Sequence, residues 1–120
     1  MKRIARLDEI SDRGLVFDYK EGPFDEQGIV LRTVGGEVRA YKNECRHLPM
    51  PLDDRDPGEI WDEHGRYLVC NSHGARYRPE DGRCVSGPCE GSHLKRLPVV
   101  VVEGEVFLET DKVGGFFQVD

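Results

Sequence analysis

Two short segments each pair a cysteine with a histidine: Cys45-Arg46-His47 and Cys70-Asn71-Ser72-His73, with 22 residues between His47 and Cys70. A thiolate is a soft, strongly donating ligand, suited to ferric iron in a cluster, whereas a neutral imidazole donates less charge and can lose a proton when its metal is oxidised. Two ligands of each kind can therefore hold two metal ions differently. A zinc finger instead groups Cys with Cys and His with His, each pair gripping one tetrahedral ion from one turn; that grouping is missing here. Two other readings stay open at this point. One is a structural zinc site on Cys45, Cys70 and one or two of the histidines; the other is two buried cysteines beside two surface histidines, with no metal.

The elements that must position these residues read as short strands. Glycine and proline punctuate the chain every ten or so residues, and the apolar segments between them are rich in Val, Ile, Tyr and Phe, an all-β pattern. One hairpin is predicted over 29–34 and 37–41 around Gly35-Gly36, because paired glycines accept the positive φ of tight turns. A second is predicted over 98–102 and 105–109 around Glu103-Gly104. Further strands are expected at 14–19, 66–69 and 75–78, the last two separated by the Cys70 segment. Residues 52–65 are polar and carry Pro57, Gly58 and Gly65, which reads as a loop with at most one helical turn near 59–63. With 120 residues the chain is the size of one domain.

Beyond the four Cys and His residues, the chain resembles the Rieske family over residues 38–108, about three fifths of its length. Cys45-Arg46-His47-Leu48-Pro49-Met50-Pro51-Leu52 resembles the family's Cys-x-His loop ending in an apolar leucine. Cys70-Asn71-Ser72-His73-Gly74-Ala75-Arg76-Tyr77 is similar to its Cys-x-x-His-Gly loop followed by an aromatic. Asp81-Gly82-Arg83-Cys84 looks like the family's turn, and Gly87-Pro88 like the loop that covers the cluster's flank. The resemblance implies a small antiparallel sandwich whose cluster-binding tip is made of two loops. It implies a single domain over 1–120, with the cluster-binding part at about 43–90. It further implies one 2Fe-2S cluster, with one iron on Cys45 and Cys70 and the other on His47 and His73, each loop giving one ligand to each iron.

Members in membrane respiratory complexes carry an extra cysteine in each loop, joined as a disulfide; Met50 and Ser72 stand at those positions, so the chain resembles the soluble ferredoxin branch. Pro49 replaces a common glycine and Asn71 a common proline, changes of loop shape that remove no ligand. Donors to the cluster sulfurs raise the reduction potential. High-potential relatives use a serine and a tyrosine; here Ala75 has no hydroxyl, while Tyr77 keeps one. The expected potential lies in the lower half of the range of about −150 to +300 mV.

The net charge is −6 with a pI near 5.2, and no basic stripe alternates with aromatics, so nucleic acid is not an expected partner. No stretch approaches the roughly 18 apolar residues of a membrane helix. Lys2, Arg3 and Arg6 are followed by Asp8, Glu9, Ser11 and Asp12, where a secretory signal would place about 7 to 15 apolar residues; a cytoplasmic protein without membrane contact is expected. Arg46, Arg76, Arg78 and Arg83 lie close in sequence to the ligand segments, so a local positive surface that steers an acidic partner is expected. Cys84 and Cys89 are expected to be free and to behave as small apolar groups in a reducing compartment. His64 and His93 read as solvated loop residues, and Trp61 as packing.

The expected function is that of a one-electron carrier, accepting from a reductase and passing to an oxygenase or other terminal oxidoreductase, and not itself a catalyst. A redox-sensing cluster protein, a permanent small subunit of an oxidoreductase such as a nitrite reductase, and a structural zinc module are the alternatives.

Overall fold

A computed structural model describes residues 1–11, 13–46, 50–54, 59–70 and 74–113. Nine strands follow in order: β1 Lys2–Arg6, β2 Leu15–Glu21, β3 Phe24–Arg32, β4 Val38–Lys42, β5 Leu68–Val69, β6 Arg76–Tyr77, β7 Cys84–Ser86, β8 Val99–Val102 and β9 Glu105–Leu108. The only helical elements among the described residues are two 3₁₀ turns, Leu7–Glu9 and Thr110–Lys112, and no helix there is long and apolar enough to cross a membrane. The chain divides into two compact units, Met1–Lys42 with Arg96–Asp120, and Asn43–Lys95.

In the first unit two antiparallel sheets, β2-β3-β4 and β1-β9-β8, face a shared core. Alternation puts Phe17 and Tyr19 of β2 inward and Asp18 and Lys20 outward, as the two-residue period of a strand requires. Val106 and Leu108 of β9 and Val30 of β3 are fully buried with them, each contributing about 1.5–3 kcal/mol by leaving water. Gly28 sits in β3 opposite Phe17. A Cβ there would come within 2.4 Å of the Phe17 ring and 2.9 Å of Leu97, so the missing side chain is the space the ring occupies.

Both predicted hairpins are present. Arg32 pairs with Val38 around a turn closed by Thr33 N–H to Glu37 carbonyl at 2.8 Å, and Val102 pairs with Glu105. The strand expected at 14–19 runs on to Glu21 and forms a hairpin with β3. β1 and β7 were not anticipated.

Asn43–Lys95 contains the antiparallel meander β5-β6-β7 and the bridges Trp61 to Leu68 and Arg83 to His93. Its strands are two or three residues long, shorter than expected at 66–69 and 75–78. The described residues of 59–63 form no helical turn: Val69 N–H donates to the Ile60 carbonyl at 2.8 Å, an extended pairing that replaces it. The expected all-β, antiparallel class is what the structure has.

Candidate metal centre

The first cysteine loop begins where β4 ends. Asn43, 5 % exposed, accepts from Leu52 N–H with its Oδ1 at 2.9 Å and donates from its Nδ2 to Asp53 Oδ1 at 2.9 Å. A buried amide must satisfy both ends, and here it does so by stapling the loop's two ends together. Inside the staple Cys45 N–H donates to the Met50 carbonyl at 2.8 Å. The Cys45 thiol is buried, and Leu52 is fully buried at the loop's end.

The second loop is closed in the same way. Cys70 N–H donates to the Ala75 carbonyl at 2.9 Å, and Gly74 N–H returns to the Cys70 carbonyl at 2.8 Å. In both loops the cysteine amide bonds the carbonyl five residues on. Ala75 lies directly against Gly87, where a Cβ would come within 2.8 Å of the Ala75 Cα, and the φ of +102° at Gly87 is itself one that side chains avoid.

Asp62 aims the strand that leads to Cys70. Its Oδ1 accepts from Arg66 N–H at 3.0 Å and Tyr67 N–H at 3.4 Å, while its own N–H donates to the Tyr67 carbonyl at 3.0 Å. Burial alone would push this carboxyl up. The amides of Arg66, Tyr67 and His64, together with the Arg76 guanidinium 3.6 Å away, outweigh it and hold the group below the usual carboxylate range. The sequence carried a signal for this turn, an aspartate three residues before Gly65, the pattern of a side chain that bonds its own backbone. Asn43, a lone buried polar residue, left no periodic trace.

Tyr77 connects the cysteines. It is fully buried in β6, accepts from Arg46 N–H at 3.0 Å, and has its hydroxyl 3.4 Å from Cys45 Sγ and 3.1 Å from Cys89 Sγ. Burial pushes its pKa up, and Cys45 and Cys89 push the same way against the Arg46 amide, so the hydroxyl keeps its proton and can donate it in a hydrogen bond. The sulfur contact that Tyr77 promised in the sequence is therefore present. Cys84 is buried, its thiol pushed up to about 12 first by that burial and then by Cys89. None of the four cysteines is in a disulfide, and Cys84 and Cys89 have their sulfurs 3.2 Å apart.

His47 and His73 lie outside the described residues, as do Leu48, Pro49, Asn71 and Ser72. Among the described residues no group of three or more His, Cys, Asp and Glu side chains is placed to hold a metal ion. Of the four arginines expected to steer a partner, Arg76 pairs with Asp62 and Glu63, and Arg78 with Asp81, which spends part of their charge within the chain. Arg46 and Arg83 are exposed. His64 is exposed as expected, whereas His93 is half-buried in the bridge to Arg83.

Two buried thiols, in loops closed by the same backbone bond and with a permanent hydroxyl donor at one of them, fit the sulfur side of a mixed-ligand iron–sulfur cluster. Residues 5–104 match the Rieske 2Fe-2S domain. The chain belongs to this family, whose domain binds one 2Fe-2S cluster.

Solved structures of similar fold fall into two size classes. The chain is 23% identical, with a TM-score of 0.67, to a chain from the complex of reduced oxygenase and oxidized ferredoxin in carbazole 1,9a-dioxygenase, covering 90% of itself and 91% of that chain. Against a protein described as the small subunit of an NADPH nitrite reductase the values are 17% and 0.60, covering 88% and 94%. Against the terminal oxygenase of carbazole 1,9a-dioxygenase from Nocardioides aromaticivorans IC177 they are 24% and 0.64, with 89% of this chain spanning only 29% of that one.

Proposed function

We propose that Cys45, His47, Cys70 and His73 ligate the 2Fe-2S cluster, two cysteines on one iron and two histidines on the other, within a cluster-binding part at about 43–90 of one Rieske-type domain. The protein then carries single electrons from a reductase to an oxygenase or other terminal oxidoreductase. When bound, the cluster supplies a reversible one-electron couple. The chain's own residues do the rest. The closures Cys45 to Met50 and Cys70 to Ala75 hold the thiols in place through turnover, Tyr77 donates a hydrogen bond to the Cys45 sulfur, and the exposed Arg46 and Arg83 offer positive charge to an acidic partner.

The observation that carries this reading is the identical backbone closure of the two cysteine loops. The carrier role is supported by the likeness in fold to a chain from the complex of reduced oxygenase and oxidized ferredoxin in carbazole 1,9a-dioxygenase, 91% of which is covered. A cytoplasmic setting accords with four cysteines that form no disulfide. A second reading, a permanent small subunit, has the likeness to a nitrite reductase small subunit behind it.

The test is anaerobic purification followed by reduction. Visible absorption with a low-average-g EPR signal after dithionite, and rapid reduction by a ferredoxin reductase with electron delivery to an added oxygenase, is the expected result. Stoichiometric copurification with a large subunit would replace the carrier by the subunit reading, and a colourless zinc protein would end both.

A further inference from the structure

The two cysteines that electron carriage leaves unused stand next to one that it uses. Cys84, at the start of β7, and Cys89, in the turn after it, have their sulfurs in contact at 3.2 Å, and the backbone keeps them there. Ser92 ties both: its carbonyl accepts from Cys84 N–H at 2.7 Å, while its own N–H and Oγ donate to the Cys89 carbonyl at 3.0 and 2.7 Å. Gly91 N–H closes the same turn on the Cys84 carbonyl at 2.9 Å. Cys84 is fully buried and Cys89 only half-buried, so Cys89 is the member of the pair nearer to solvent. Cys89 also touches the Tyr77 hydroxyl, and Tyr77 touches Cys45. The four groups form one line: Cys84, Cys89, Tyr77, Cys45.

We propose that Cys84 and Cys89 are a peroxide-responsive thiol pair that closes to a reversible disulfide, whose state is passed through Tyr77 to Cys45. In the first step the Cys89 sulfur attacks hydrogen peroxide; the O–O bond breaks, Cys89 becomes a sulfenic acid and one water leaves. The Cys84 sulfur then attacks Cys89, the S–O bond breaks, and the departing hydroxide takes the Cys84 proton as a second water. Two thiols have lost two electrons to one peroxide, giving a disulfide and two waters. A dithiol reductant reverses the change by exchange.

The coupling to Cys45 rests on the ligand reading above and has a definite sign. With both thiols present, Cys84 donates to the Ser86 carbonyl at 3.3 Å, and the Cys89 proton is available to the Tyr77 oxygen, which also accepts from Arg46 N–H. Each donor to that oxygen strengthens the bond its own proton makes, because linked hydrogen bonds polarise one another. The disulfide removes the Cys89 proton, so Tyr77 becomes a weaker donor to the Cys45 sulfur. Fewer or weaker bonds to a ligating sulfur favour the oxidised cluster, and the potential falls.

The experiment uses the anaerobically purified, cluster-loaded protein and one equivalent of hydrogen peroxide, with the visible spectrum followed to show that the cluster survives. Loss of the mass of two hydrogens, a peptide bridge between Cys84 and Cys89, and reversal by dithiothreitol are expected. Cys89→Ser should keep the colour and abolish the bridge, and Cys84→Ala should do the same if it folds. Closing the bridge should make reduction about 1.2- to 1.6-fold less favourable, the roughly 10–30% that one linked donor adds to a bond, a midpoint lowered by about 5–12 mV at 59 mV per tenfold for one electron. In Tyr77→Phe the bridge should still form and the shift vanish. An intact cluster with no bridge at these two cysteines overturns the proposal, and a bridge with an unmoved potential overturns its coupling. A cluster retained unchanged in Cys45→Ser would instead overturn the ligand set, and the coupling with it, while leaving the thiol pair standing.

Discussion

In Met1–Lys42 with Arg96–Asp120 the buried set is apolar and repetitive: Ala5, Phe17, Tyr19, Val30, Ala40, Val106 and Leu108 recur along strands of four to nine residues. In Asn43–Lys95 the strands have two or three residues, and single polar groups shape the loops: Asn43 on Leu52 and Asp53, Asp62 on Arg66 and Tyr67, and Tyr77 on Arg46 and Cys45. Burial is non-directional and shared among many residues, so the frame tolerates a loss at one place by a partial loss of stability. A hydrogen bond is directional and has one partner, so a loss in the cysteine unit moves a particular loop.

The strongest way to sharpen this contrast is to remove a ligand. Cys45→Ser and Cys70→Ser should each yield protein without the visible absorption of the cluster while the far-ultraviolet β signal of the frame persists. A variant that keeps its colour and EPR signal would sink the ligand set. Next in size come two truncations chosen to fail differently. Leu108→Ala, at a fully buried frame position, should cost about 2–5 kcal/mol of unfolding free energy and leave absorbance per folded molecule unchanged. Asn43→Ala should cost about 1–3 kcal/mol by orphaning the Leu52 amide and Asp53, and should shorten the lifetime of the bound cluster at temperatures where the protein stays folded. If cluster lifetime in the two variants simply tracks thermal stability, the distinction between the units collapses.

The same contrast explains what the sequence revealed. The hairpins at Gly35-Gly36 and Glu103-Gly104 were legible because their strands are neighbours and their turn chemistry is local. β1 was not: Lys2–Arg6 carries three cations among five residues, and its partner β9 lies about a hundred positions away, so nothing local marks it as a strand. β7 begins at Cys84, the last residue of the segment that resembles a turn, so no strand was read there. Of the candidate centre, Cys45 and Cys70 were legible as chemistry at a fixed spacing, and Tyr77 through the resemblance to the Rieske family. Asn43 was not, since a single polar residue that bonds backbone amides looks like any other loop residue until the loop is folded, and Asp62 left only the local cue of an aspartate three residues before Gly65. The Cys84–Cys89 contact was also hidden: four intervening residues do not tell whether two thiols turn toward each other, and here the turn through Ser92 decides it.

Tyr77→Phe tests a smaller effect. Loss of one hydroxyl donor on the Cys45 sulfur should lower the midpoint by about 40 mV, taking about 1 kcal/mol for the bond and 59 mV per tenfold. The cluster itself should stay bound, since the thiol is untouched. An unchanged potential would make Tyr77 a packing residue for this purpose.

The smallest effect concerns acid. Asp62 titrates below its ordinary value of 3.8 in the folded chain, so folding favours its ionised form. That contribution is fully present above the ordinary value and is lost as pH falls through the lower folded value. Asp25 and Asp81 are also held low, by Lys20 and Arg78, but water reaches both pairs and weakens what they add. Asp62→Asn cannot take up a proton, and its amide nitrogen is a poor substitute where two backbone donors converge. The variant should therefore be less stable than the native protein near neutral pH and should approach it as pH drops below about 3.8, read as urea unfolding midpoints from about pH 5 downward. Parallel curves at a constant offset would mean that the turn before β5 is held by its backbone bonds alone, and that polar side chains set less of the cysteine unit than the comparison with the frame requires.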